Sequence, residues 1–219
     1  MRKIGILFMT LGLTLGLFAW RYDGTATSES QNEAVRIITQ NLEGDTARPL
    51  PLPWAQGDTE TVKPAVKPKK IKIGSKFFAT VGLLSIPKIG LENEPIVDNF
   101  SQAALDEGLI ASMGTPPGVI GNFSAIGHVV TRGEVFRDLG KLKKGNLVTV
   151  RTSAGTFTYR IRGGPVTIVD TDVWVLRDVP SKTKNLVATK SVITLLTCAE
   201  RYHSNRRIAI FGDLIKRTP

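Results

Sequence analysis

One cysteine, Cys198, and two histidines, His128 and His203, are the whole supply of thiol and imidazole in 219 residues. A lone cysteine has no intramolecular disulfide partner, so Cys198 is either an inert small side chain or a reactive thiol. Any imidazole acid or base has to be His128 or His203. Acidic residues are also sparse, 19 against 29 basic ones for a formal charge of +10. Glu92, Glu94 and Asp98 form no dense carboxylate cluster, so no metal and no cofactor is expected. The positive surface favours anionic partners, yet no nucleic-acid-binding motif accompanies it and nucleic acid is not among the expected partners. No internal repeat is present.

What is there begins with an uncharged stretch from Ile4 to Trp20, preceded by Arg2 and Lys3 and closed by Arg21 and Asp23. About 17 apolar residues suffice to cross a bilayer core, and the basic flank predicts a cytoplasmic N-terminus with everything after Arg21 outside. The expectation is therefore a plasma-membrane protein, single-pass, with residues 1–21 as an uncleaved anchor. A cleavable signal peptide is the rival, although Thr25-Ala-Thr27 is a weak processing site. Residues 22–76 read as a polar spacer: Pro49, Pro51, Pro53, Pro64 and Pro68 favour extended chain, and Lys63 to Lys76 carries six lysines and no acid. That lysine run is a solvated linker or a contact to anionic lipid or wall polymers. Ala34 to Leu42 is patterned for one short amphipathic helix.

From residue 77 to 219 the pattern changes to short strands with turn punctuation. Strands are expected at Phe78 to Ile86, Asn122 to Ile126, Leu147 to Thr152, Thr156 to Arg162, Val166 to Asp170, Ser191 to Thr197 and Ile208 to Leu214. Strict alternation in Asn146 to Thr152 and in Thr156 to Arg162, around Ser153-Ala154-Gly155, predicts a hairpin. Helices are expected at Ser101 to Ala111 and Val135 to Lys141. The fold class is mainly β, a closed or barrel-like sheet with short helices.

Acyl transfer by a thiol needs a nucleophile, a proton donor for the leaving group, and a cation or hydrogen-bond donor where an oxyanion develops. Cys198 ends an apolar β-branched run, Val192 to Thr197, and the polar Ala199 to Arg206 follows, which places the thiol at a strand end. His128 ends another strand-like run, Phe123 to Gly127, with glycine just before the imidazole. Arg206 and Arg207 open the last strand. Alternation puts them on opposite faces, so at most one points at the thiol. Each residue type taken alone is more often structural or solvated than catalytic.

Together, the ordered segments resemble the sortases, membrane-anchored cysteine transpeptidases of Gram-positive bacteria. Thr194-Leu195-Leu196-Thr197-Cys198 is similar to the family's T-L-x-T-C signature, Gly127-His128 with Val135 to Gly145 to its histidine segment, and Arg207-Ile208-Ala209-Ile210 to its arginine strand. The likeness runs from about Ala79 to Leu214. Gly114 to Phe123 and Asp172 to Leu176 look most like class E. The resemblance implies an eight-stranded β-barrel in which Cys198, His128 and Arg207 are catalytic. It implies cleavage of an LPxTG- or LAxTG-like sorting motif between Thr and Gly, with transfer to an amine of a peptidoglycan precursor or a pilin. Partners would be surface proteins or pilins bearing that signal. Thr197, Val173, Trp174, Val175 and Leu176 are the expected substrate-binding residues. Pro53-Trp54 lacks the aspartate of a pilin-sortase lid, and no lid is expected. The alternative is a non-catalytic, membrane-tethered module of the same fold that contacts anionic wall polymers.

Overall fold

The computed structural model describes residues 31–42 and 69–219, apart from 74, 99, 131–132 and 200–204. The expected membrane anchor, most of the spacer and His203 lie outside the described residues. Among the described residues no helix is long and apolar enough to cross a membrane.

Helix α1 occupies 31–42 and covers the amphipathic stretch expected there. The strands that follow are β1 (Lys70–Ile73), β2 (Lys76–Ile86), β3 (Leu91–Val97), β4 (Ile110–Gly114), β5 (Gly121–Ile126), β6 (Leu147–Thr152), β7 (Gly155–Ile161), β8 (Val166–Val169), β9 (Ser191–Cys198) and β10 (Arg206–Thr218), with a short helix α2 (Gln102–Asp106) between β3 and β4. Hydrogen bonding runs β2-β3-β4-β5-β9-β10-β7-β6 and returns to β2, so eight strands close a barrel and leave β1 and β8 as additions to its wall. The two longest strands make this possible. The first half of β2 pairs with β1 and its second half with β6. Likewise β10 pairs first with β8 and then with β7, keeping β9 on its other side.

Period-two alternation sorts the wall into two faces. Phe123 and Ala125 of β5, Ile193 and Leu195 of β9 and Ile210 of β10 fill the barrel with Phe157, Tyr159 and the Val135–Leu142 segment. Leu83, Val97 and Ala111 face outward, where Ala34 and Ile38 of α1, Ile71 and Ile73 of β1 and Ala104 and Leu105 of α2 bury them. A third apolar cluster on the outer wall joins Ile168, Val175 and Ala209 with Trp174, Leu196 and Phe211.

Three strands and two helices depart from the pattern, and the first of them, β1, forms inside the stretch read as spacer. Strand β3 escapes the alternation signal because Leu91-Glu-Asn-Glu-Pro-Ile-Val97 carries its apolar residues at the ends, and Asn93 sits at φ 56°. The helix expected from Ser101 to Ala111 ends after Asp106: Gly108 turns left-handed at φ 75°, and Ile110 onward joins β3 as a parallel strand. The Ser101 cap itself forms, its hydroxyl accepting from the Ala104 amide at 3.2 Å. At Val135 to Lys141 the chain makes turns and a single 3-10 turn, Leu139–Lys141, rather than an α-helix. Leu139 and Phe136 are wholly buried there, so packing into the barrel decides the backbone.

Tyr159 shows how the barrel satisfies its interior polar groups. Its ring is fully buried, and its hydroxyl accepts a bond from the Gly118 amide at 2.8 Å and lies 3.4 Å from the Ser191 hydroxyl. Burial pushes the phenol above its ordinary pKa, against the lowering effect of those two contacts. Replacing Tyr159 by Phe leaves the Gly118 amide without its acceptor. The expected loss is about 1–2 kcal/mol in urea denaturation.

Candidate functional site

The same alternation that fills the barrel leaves Thr194, Leu196 and Cys198 of β9 on its outer face, with Cys198 half-buried at the strand's end. Arg207 is the direct cross-strand partner of Cys198. The Ala199 amide bonds the Arg206 carbonyl at 3.0 Å, so Cys198 and Arg207 form a pair without mutual backbone bonds. In such pairs side chains approach most closely, with Cα atoms about 4.5 Å apart. On its other edge β10 pairs Arg207 with Ile168 of β8. Thus β8, an addition to the barrel wall, braces the residue that faces the thiol. Arg206 falls on the opposite face and is exposed, as alternation predicts. The Arg207 guanidinium also donates to the Arg206 carbonyl at 3.0 Å.

His128 reaches the same place from the other side. Strand β5 runs parallel to β9 with Gly121 opposite Ser191 and Ile126 opposite Leu196, a constant offset of 70. The ladder continues one step past β5, because the Gly127 amide bonds the Leu196 carbonyl at 3.2 Å. Carried two residues past β5, the same offset of 70 brings position 128 level with Cys198. Gly127 is needed here for space: a Cβ would lie 2.6 Å from Val135 Cγ2 and 2.9 Å from Phe136 Cδ2. The Phe136 amide in turn donates to the His128 carbonyl at 2.9 Å. The Gly-His and Val-Phe segments, seven residues apart in sequence, are therefore one packed unit.

Thr197 is 3% exposed, and its hydroxyl donates to the Gly127 carbonyl at 2.8 Å. It ties the histidine-bearing end of β5 to the cysteine-bearing end of β9 from inside the wall. Of the other residues expected to contact substrate, Val173 is 61% exposed, whereas Val175 is buried against Ile168 and Ala209. Trp174 packs on Phe211 of β10 with ring centroids 5.9 Å apart, and Leu176 joins the same cluster. These four form one 3-10 turn, Val173–Leu176, over the outer wall beside the Cys198 strand.

A buried polar pair that sequence reasoning missed holds that turn. The Asn122 carboxamide donates to the carbonyls of Val175 and Arg177 at 3.0 and 2.9 Å, and its oxygen accepts from the Thr194 hydroxyl at 2.8 Å. Thr194 also lies 3.2 Å from the Val175 carbonyl. Both residues are essentially inaccessible to solvent. The available signal was a polar residue at an outward position of an otherwise apolar strand, Asn122 six residues before His128. Such a pair, fully bonded, gives a loop wall one geometry.

The arrangement can perform nucleophilic chemistry: a thiol and a guanidinium are paired across adjacent strands, and an imidazole follows two residues past the end of the neighbouring strand β5. Among the described residues no group of three or more His, Cys, Asp or Glu could hold a metal ion. A cavity of about 260 Å³ between α1, Gly82, Met113 and Thr152 shares no residue with this cluster.

Comparison with known proteins gives the site a context. A family model described as the sortase domain matches residues 84–215. The chain is 28% identical to Sortase SrtE1 of Streptomyces coelicolor over 226 aligned residues, which take in 100% of this chain and 58% of that protein, so it spans little more than half the length of that relative. It is 23% identical to Sortase A of Bacillus anthracis, with 96% of this chain and 91% of that protein aligned. Among solved structures, sortase E from Streptomyces avermitilis matches at 29% identity with a TM-score of 0.56, covering 64% of this chain and 90% of its own. Sortase E1 from Streptomyces coelicolor with a tripeptide in the active site matches at 29% identity with a TM-score of 0.57 over the same shares.

Replacing Asn122 by Ala takes the carboxamide from the Arg177 carbonyl and leaves the Thr194 hydroxyl and the Val175 carbonyl only each other. The expected cost is about 2–3 kcal/mol in chemical denaturation. Thr194→Val, which keeps the shape and removes one hydroxyl, should cost less.

Proposed function

Because the chain belongs to the sortase family and is most like its class E members, we propose that it is a cysteine transpeptidase acting on proteins with an LPxTG- or LAxTG-like sorting motif. The observation that supports this reading is the pairing of Arg207 with Cys198, with the β5 ladder that leads to His128 running beside the cysteine strand.

In the proposed reaction the Cys198 thiol transfers its proton to His128, and the thiolate attacks the carbonyl carbon of the motif's threonine. A C–S bond forms as the carbonyl π bond opens to an oxyanion. Arg207 is suited to that oxyanion because a guanidinium stays cationic and presents several donors in fixed geometry. Collapse of the intermediate breaks the Thr–Gly C–N bond, and the His128 imidazolium gives its proton to the departing glycine amine. The thioacyl enzyme then meets an acceptor amine, from a peptidoglycan precursor or a pilin. Its nitrogen attacks the thioester, His128 accepts the amine's proton, and the thiolate leaves as the new amide forms. Neither half-reaction needs a cofactor. The exposed Val173 with Trp174 and Leu176 supplies an apolar wall suited to the motif's leucine, while Thr197 positions the two strands. The apolar stretch Ile4 to Trp20 would hold the enzyme in the plasma membrane as a single-pass protein with its barrel outside, where sorting-signal proteins and the wall precursor meet it.

The test is to incubate the protein with LPxTG and LAxTG peptides and an amine and to follow Cys198 by mass spectrometry. A thioacyl adduct on Cys198 and a joined product are expected, both absent in Cys198→Ala. A thiol that alkylating reagents label readily while neither peptide is cleaved or joined rejects the proposal. Arg207→Ala should lower kcat about 10²- to 10³-fold, as loss of an oxyanion donor does, and Arg206→Ala should stay near wild type. The reverse order would contradict the Cys198–Arg207 register.

A further inference from the structure

Helix α1 lies well before residues 84–215, and its sequence reads as part of a spacer, yet it packs on the barrel as an integral piece. Ala34 and Ile38 are 0% and 1% exposed and join the outer-wall cluster with Ala111 and Phe78. Gln31 of this helix donates through Nε2 to the carbonyl of Gly108 at 2.8 Å, across 77 residues of sequence. The same carboxamide lies against Gly133: a Cβ built there would be 2.4 Å from Gln31 Nε2 and 2.9 Å from its Cδ. Gly133 has φ +84°, in the left-handed region where glycine is favoured.

Gly133 belongs to the segment that returns to His128. Two residues on, Val135 packs against Gly127, and the Phe136 amide bonds the His128 carbonyl. An unbroken series of contacts thus leads from Gln31 through Gly133 and the Val135-Phe136 turn to the backbone of the histidine. Its fixed end is the exit of α2, where Gly108 accepts from Gln31. We infer that α1 is part of the active-site framework and that Gln31 is a positioning residue, which sets His128 by propping the Gly133–Phe136 segment against the barrel.

This inference rests on the transpeptidase reading for its kinetic test but not for its spectroscopic one. The chain has two histidines, so the ring resonance of His128 in the full-length protein is assigned by comparison with His203→Gln. Gln31→Ala should move the His128 resonance and its titration midpoint, and should lower kcat about tenfold with KM and melting temperature near wild type, since small misplacements of a proton-transfer group are costly in rate. Gly133→Ala, whose Cβ overlaps the Gln31 carboxamide, should move the same resonance. Ile38→Ala, which thins the buried face of α1 away from this contact, should lower the melting temperature and leave both the resonance and kcat per folded molecule unchanged. If Gln31→Ala leaves the His128 signal and kcat at wild-type values, or lowers only stability, the positioning role is wrong. A moved resonance in a protein that joins no peptide would instead reject the transpeptidase reading and keep the structural link.

Discussion

Two strand registers carry the site. The antiparallel pairing of β9 with β10 sets Arg207 opposite Cys198, and the parallel pairing of β5 with β9 brings the end of β5, two residues before His128, beside the cysteine strand. A slip of one residue in either pairing would turn a side chain to the other face of the wall. Most of the interior serves to prevent that slip. Phe123 and Ala125, Ile193 and Leu195, and Ile210 fill the barrel only in the observed register, and each one-step shift would exchange them for Asn122, Thr194 or Phe211. The apolar core thus acts on chemistry indirectly, by denying the three strands any other alignment.

Around that register the protein uses polar bonds sparingly and at joints. Thr197 bonds the Gly127 carbonyl where β5 ends, Asn122 and Thr194 seat the Val173–Leu176 turn, and Tyr159 holds the β4–β5 connection through Gly118. Each is buried, and each links a strand to a segment whose own backbone bonds are incomplete. The apolar clusters lack that directional character. They bring the 3-10 turn, β8 and β10 together through Val175, Ile168 and Ala209, but hydrogen bonds decide which atoms face the wall.

Much of this was readable in the chain. The alternating strands β6 and β7 and the apolar run of β9 announced themselves, and the segments bearing His128, Cys198 and Arg207 were recognisable in order. Alternation alone required that one of Arg206 and Arg207 turn away, and the cross-strand pairing gives the place to Arg207. Other features left little trace. Strand β3 holds two glutamates, an asparagine and a proline, a composition that resembles a loop because closure of the barrel, and not local propensity, extends it. Strand β4 follows a capped helix so closely that the two read as one element. The packing of α1 was hidden because Ala34 and Ile38 are as compatible with an isolated amphipathic helix as with a buried one. Gln31, a single polar residue in a polar stretch, has no periodic signal at all.

Barrel closure also has a consequence for timing. The ring is completed by long-range pairings, β2 with β6 and β5 with β9, and chains dominated by such distant contacts fold slowly relative to helical ones. Strand β9 gains its neighbour β10 after a short connection, but β5 lies 70 positions upstream and pairs with it only when the wall comes together. Cys198 and Arg207 are thus joined by a pairing local in sequence, and His128 by one that spans 70 positions. In the proposed reaction the thiol would therefore depend on two pairings of very different sequence range, a local one for its guanidinium and a distant one for its imidazole.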